Sequence, residues 1–256
     1  MRPVIAALAV LCFYGLFYRY VVARWGPAVQ WAIRGLGLDA RRPVREVEAV
    51  GKLAAAGVAQ LLFAFLLAWW VGLPAGVLVG RPFEPGILAA AAVLGAGELA
   101  LTSLICTVIV ELAVAAAPGS GEETARRWTA RTRGGWMSFF LLTARAAPSA
   151  LTMASVCLYV VVEELIFRGI LVTAFSGWGA AAAVCGSAAL FVTVQAFGMP
   201  SRPAALFPMV GATVIGVVHG VLFWLVPAVA PLALAHVAFF AAALSLTAAR
   251  AEPSLR

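Results

Sequence analysis

The run CLYVVVEELIFRGILV, residues 157–172, sets two glutamates and an arginine inside an otherwise apolar stretch. What surrounds it decides which solvent it meets. Hydrophobic residues form 64% of the chain and charged residues 11%, with a mean hydropathy of +1.01, a balance suited to a bilayer and foreign to a water-soluble domain. Apolar runs lie at about residues 3–23, 53–79, 87–117, 149–176, 179–198, 204–226 and 229–249. Each can satisfy its own backbone hydrogen bonds as a helix, and none shows the period-2 alternation of outer-membrane strands. At ~20 apolar residues per span, a chain of 256 residues holds about seven to eight transmembrane helices and leaves little for a soluble domain. The expected fold is all-α and polytopic, with N-terminal helices and basic loops over 1–148 and a helical core over 149–256, one integral membrane domain overall. The stretch RWTARTRGGWMSFFLLTARAAPS, residues 127–149, is basic, contains Trp and is apolar only over WMSFFLL, which predicts an interfacial helix.

Short loops rich in Arg and Lys stay on the cytoplasmic side. Residues 24–52 carry Arg24, Arg34, Arg41, Arg42, Arg45 and Lys52, and residues 118–148 carry Arg126, Arg127, Arg131, Arg133 and Arg145. Two spans separate these segments, so both fall on one face, with Arg202, Arg250 and Arg256, while Arg2 and Arg81 fall on the other. The net charge of +7 therefore reflects orientation and attraction to the lipid bilayer, and implies no nucleic acid. Cys12, Cys106, Cys157 and Cys185 sit in apolar runs without CxxC spacing and read as packing residues. GVLVG (Gly76, Gly80) and GVVHG (Gly216, Gly220) have the small-xxx-small spacing of close helix contacts.

An ionisable side chain at bilayer depth is costly without a partner, which makes it a functional candidate by default. Arg19, Glu98, Glu163, Glu164 and Arg168 qualify. Glu164 and Arg168 stand at i and i+4, acid first, so they share a helix face and can neutralise each other. Glu163 is rotated by ~100° and is left as the unpaired acid.

EELIFRG resembles the EExxxR signature of the CPBP (CAAX protease and bacteriocin-processing) family of intramembrane endopeptidases, including the aromatic before the Arg and the Gly after it. Further motifs of that family are FxxxH on the next helix and HxxxN or HxxxD on a later one. Here FVTVQ (Phe191 to Gln195) ends in glutamine and HVAFF (His236 to Phe240) ends in phenylalanine. The resemblance covers roughly residues 149–248 and implies a CAAX-protease-like helical core. It implies that Glu163 activates the attacking water, that Glu164 and Arg168 organise the site, and that the histidines orient water and stabilise the developing oxyanion. The catalytic set is then Glu163, Glu164, Arg168, Gln195 and His236, with His219 and Phe191 as additional positions. Gln195 can donate a hydrogen bond but cannot exchange a proton near neutral pH, and Phe240 offers no hydrogen bond.

About a turn near 176–179, Glu163 and Gln195 lie 15 and 17 residues from position 178, so at ~1.5 Å per residue they reach nearly equal depth. About a turn near 228, His219 and His236 face each other, yet about 10 Å nearer the outer surface than Glu163. His219 then reads either as a packed imidazole or as the group that supplies what Gln195 lacks. Glu163, His219 and His236 would also make a three-ligand set for a divalent metal such as zinc, although the chain has no HExxH. An ion pair between Arg19 and Glu98 is a further expectation.

The leading functional expectation is an intramembrane endopeptidase acting on a membrane-associated peptide or protein. The first alternative is a non-catalytic protease scaffold serving as a binding or immunity-type factor. The second is a proton-coupled transporter with Glu98 and Glu163 as a relay, against which the chain shows no inverted repeat. Richness in Ala, Gly and Arg with almost no Lys points to a GC-rich bacterial genome, and hence to a bacterial cytoplasmic (inner) membrane.

Overall fold

The computed structural model describes residues 1–17, 20, 24–35, 44–79, 85–116, 142, 150–197 and 199–251. It is all-helical, with no strand among the described residues. In chain order the helices are α1 (Arg2–Leu16), α2 (Gly26–Gly35), α3 (Val44–Val71), the short α4 (Gly76–Val79), α5 (Pro85–Ala115) and α6 (Ala150–Glu164). Without interruption α6 passes into a π-segment, Leu165–Val172, an α turn, Thr173–Phe175, and a 3₁₀ turn, Ser176–Trp178. Then come α7 (Ala180–Ala196), α8 (Arg202–Leu225) and α9 (Val229–Ala251).

Three described helices are long and apolar enough to cross a membrane, α3, α5 and α8; α1, α7 and Val229–Ser245 of α9 are shorter apolar helices. By that measure the described residues carry three candidate spans of the expected seven to eight, and the run expected at 149–176 divides between α6 and the π-segment. The segment 24–52 is not simply a loop. It contains α2 and the first turns of α3, tied together where Gln30 donates to Glu48 (2.7 Å), which also pairs with Lys52 (2.6 Å). The span expected at 53–79 ends early, at Val71, because Gly72 takes φ 77° and closes a Schellman motif, with Leu73 N–H on the Ala68 carbonyl. The interfacial helix expected over 127–149 falls, apart from Leu142, outside the described residues, as does Arg19.

Polarity is arranged inside out. Leu62, Phe65, Leu66 and Trp69 on α3 and Val93, Leu104 and Leu112 on α5 are exposed, while Gln60, Glu98, Thr102, Glu163, Glu164, Arg168, Gln195, His219 and His236 are buried. An exposed apolar face of this extent is what lipid covers. On α5 the inward residues Ala91, Gly95, Glu98, Leu99 and Thr102 recur at helical spacing, so one face of an apolar helix carries its only acid at this depth into the bundle.

The bundle is drawn together by α5 on α9, α7 on α8 and α3 on α6, whereas α8 and α9, though consecutive, touch little. Small residues set these approaches. A Cβ at Gly216 or Gly220 would stand 3.1 or 2.9 Å from Ala188 or Val184, so the GVVHG expectation of a close helix contact holds, while a Cβ at Gly76 meets nothing within 4 Å. At Gly95 a Cβ would collide with the Ala235 carbonyl and Phe239 amide of α9. Gly95→Ala is therefore expected to destabilise by about 1–3 kcal/mol through overpacking, read as a lowered thermal midpoint in detergent. Gly97→Ala, whose Cβ meets nothing within 4 Å, should leave the midpoint unchanged or raised. Equal midpoints for the two variants would refute this account of the contact.

Candidate active site

Glu163 and Glu164 close α6 where the helix widens into the π-segment, all of whose side chains are buried. π-bulges are rare and gather at functional sites, because they redirect neighbouring side chains. Ser187 of α7 donates to the carbonyl of Phe167, fastening α7 to this segment. Consecutive on a helix, the two glutamates face different ways.

Glu163 faces α7, where Gln195 Nε2 donates to its Oε1 at 3.1 Å. The contact expected from hairpin depth is thus present, across a turn in which Gly179 takes φ 89°. Glu164 faces the interior and gathers three bases. Its Oε1 lies 2.7 Å from His236 Nδ1 and 3.2 Å from Arg168 Nη1, and its Oε2 lies 3.1 Å from His219 Nδ1. The His236 contact is an aligned hydrogen bond. Arg168 and His219 approach off-line, so these are ion-pair contacts in which distance rather than direction carries the attraction. The Arg168 guanidinium also lies over the ring of Phe191, 4.5 Å from its centroid, giving Phe191 a cation–π role. Glu164 thus anchors the site, and Glu163 is its outward-facing acid.

The structure corrects the depth assigned to His219. Its ring centroid is 6.1 Å from that of His236, as expected for facing histidines, but both rings reach Glu164 rather than lying 10 Å beyond the acids. The reason lies in the turns. A Cβ at Gly169 would be 3.1 Å from Val229 Cγ2, so the α8–α9 turn sits level with the middle of the π-segment instead of level with residues 176–179. Measured from Gly169 and Val229, Glu164 and His236 are five and seven residues away, which removes most of the gap.

His219 has a second partner that the sequence reading missed: its Nε2 lies 3.1 Å from Glu98 Oε1. Glu98 therefore meets a histidine; Arg19, its expected partner, lies outside the described residues. A usable signal was present, since an acid deep in α5 needs a base, and His219 is one of only two histidines in the chain and falls at a position without a named role in the family's motifs. The zinc set of Glu163, His219 and His236 does not fit, because His219 turns both ring nitrogens to Glu98 and Glu164. No group of three His, Cys, Asp or Glu among the described residues is disposed to hold a metal ion.

Glu163, Gln195 and His236 line one small, partly open cleft. Its remaining walls are apolar, chiefly Phe207, Pro208 and Gly211 of α8 and Phe239 and Phe240 of α9. A few convergent polar groups in an apolar cleft is the usual composition of a ligand site.

Fold and site thus define an all-helical membrane protein whose buried acid–arginine–imidazole centre opens on an apolar cleft. Residues 145–242 match the family model described as Rce1-like, type II CAAX prenyl endopeptidase Rce1-like, a match consistent with the CPBP family that EELIFRG resembles. No curated protein and no solved structure matches the chain significantly. At the family level the match supports a CAAX-type intramembrane protease.

Proposed function

We propose that the protein is an intramembrane endopeptidase that hydrolyses a peptide bond of a membrane-associated peptide or protein at the Glu163–Gln195–His236 cleft. One observation carries this reading: the acid and imidazole needed for hydrolysis face one cleft, while the neighbouring Glu164 is held by Arg168, His219 and His236. Glu163 takes a proton from water as the oxygen attacks the peptide carbonyl carbon, then passes that proton to the departing amine. His236 is fixed through Nδ1 by Glu164, which directs Nε2 away from that contact; protonated there, it donates to the oxygen of the tetrahedral intermediate. Gln195 orients Glu163 through its amide. The products are a carboxylate and an amine, and no external redox partner is required. In this reading α6 with its π-segment joins α1, α3, α5, α7, α8 and α9 as a seven-helix bundle, its basic loops on the cytoplasmic side of a bacterial inner membrane.

Gln195 and Phe240 favour one other reading, a non-catalytic scaffold that binds a membrane partner, since neither can exchange a proton. Cleavage of a library of membrane-anchored peptides by the protein in nanodiscs decides between them. Wild-type hydrolysis that rises with Gln195→His, by about 10-fold or more if a second titratable group is what limits it, supports the protease. Silence from wild type with cleavage appearing only in Gln195→His establishes the scaffold.

A further inference from the structure

We propose that Glu98 is a positioning residue: acting through a His219 that carries hydrogen on both ring nitrogens, it holds Glu164, and with it His236, in one arrangement. Glu98 lies on α5, outside the segment matched by the family model, so this support for the site comes from the other half of the chain.

The geometry is a row across four helices. Glu98 Oε1 of α5 lies 3.1 Å from His219 Nε2 of α8, His219 Nδ1 lies 3.1 Å from Glu164 Oε2 of α6, and Glu164 Oε1 lies 2.7 Å from His236 Nδ1 of α9. Glu98 is 3% exposed and His219 and Glu164 0%, so water does not stand in for a missing partner. A bare imidazole nitrogen facing a carboxylate oxygen at 3.1 Å sets lone pair against lone pair, whereas an N–H there is attractive even when bent. Where Glu98 and Glu164 are both ionised, His219 faces a carboxylate on either side and needs hydrogen on both nitrogens.

Charge points the same way. Glu98 and Glu164 are two anions, opposed by the Arg168 guanidinium and, in this arrangement, by the His219 imidazolium. With a neutral His219 ring an ionised Glu98 would have no cation in contact with it in a dry interior, which is strongly unfavourable. The other groups around the row are accounted for. Glu163 is turned to Gln195 and the cleft, Thr102 lies one turn along α5 and carries no charge, and His236 shares Glu164 from the far side. Because His219 and His236 grip different oxygens of one carboxylate, a shift of His219 turns Glu164 and moves the imidazole that faces the cleft.

The consequence for catalysis rests on the proposed function; the contact itself does not. The test is ¹⁵N NMR of the full chain, labelled at histidine, in nanodiscs near neutral pH. Only two histidines contribute, and the signals lost in His219→Gln are those of His219. Wild type is expected to show both His219 nitrogens bearing hydrogen. Glu98→Gln is expected to strip one of them and to shift the His236 signals as well, with kcat lowered and KM unchanged for any cleaved peptide, and Glu98→Asp is expected to restore the hydrogen. A bare His219 nitrogen in wild type overturns the proposal, and that spectrum decides even if Glu98→Gln does not fold. His236 signals unmoved in a folded Glu98→Gln protein overturn the coupling. The expected spectra without any peptide cleavage would sustain this inference while removing the protease reading.

Discussion

Replacing Glu163 by glutamine is expected to lower peptide hydrolysis by about 10²–10⁴-fold, the contribution of a positioned general base. The exchange keeps size and shape, and a glutamine oxygen can still accept the hydrogen bond that Gln195 now donates at 3.1 Å. What it loses is the ability to take the water proton. Since Glu163 is not among the groups that hold Glu164, the unfolding midpoint should stay near that of wild type, and peptide affinity should be retained. The measurement pairs cleavage rates with binding of the same peptide. Undiminished cleavage would remove Glu163 from the reaction; equal binding by the two proteins with cleavage by neither would identify the non-catalytic scaffold.

The acids of this site could be read from the chain because their chemistry is local. EELIFRG places Glu164 and Arg168 one turn apart and Glu163 to one side, and helical spacing alone forecasts the Glu164–Arg168 pair and the unshared acid. The Glu163–Gln195 contact was legible for a similar reason, as one hairpin of known turn fixes relative depth. His219 was not. Its depth relative to Glu164 depends on where the α8–α9 turn docks against the π-segment, and that is decided by Gly169 against Val229, residues distant in sequence. Periodicity reports which residues share a helix face; it does not report how far one hairpin slides along another. The same limit hid the Glu98–His219 pair, whose members lie on helices not adjacent in sequence. Gly72 is a contrasting case: a glycine followed closely by Pro74 was a helix stop legible in the sequence, and the apolar residues beyond it masked the signal.

Arg168→Met is expected to destabilise the fold by about 3–5 kcal/mol, the cost of leaving a buried carboxylate without its main cation. Arg168 is 1% exposed, contacts Glu164 at 3.2 Å and covers the Phe191 ring at 4.5 Å, so its removal deletes an ion pair and a cation–π contact together. Methionine retains apolar bulk, and the loss is then electrostatic more than steric. Lysine is no substitute: it keeps the charge, but it is a compact ammonium without the planar face that lies on Phe191. Arg168→Lys should therefore fall between wild type and Arg168→Met. The decisive comparison adds Glu164→Gln. If the cost of Arg168→Met comes from the stranded carboxylate, the double variant should be more stable than Arg168→Met alone, because a neutral amide needs no cation. Denaturant unfolding in detergent measures all five proteins: wild type, Arg168→Met, Arg168→Lys, Glu164→Gln and the double variant. A double variant whose losses merely add would mean that Arg168 and Glu164 act independently, and that the charges in the middle of EELIFRG are held by something other than each other.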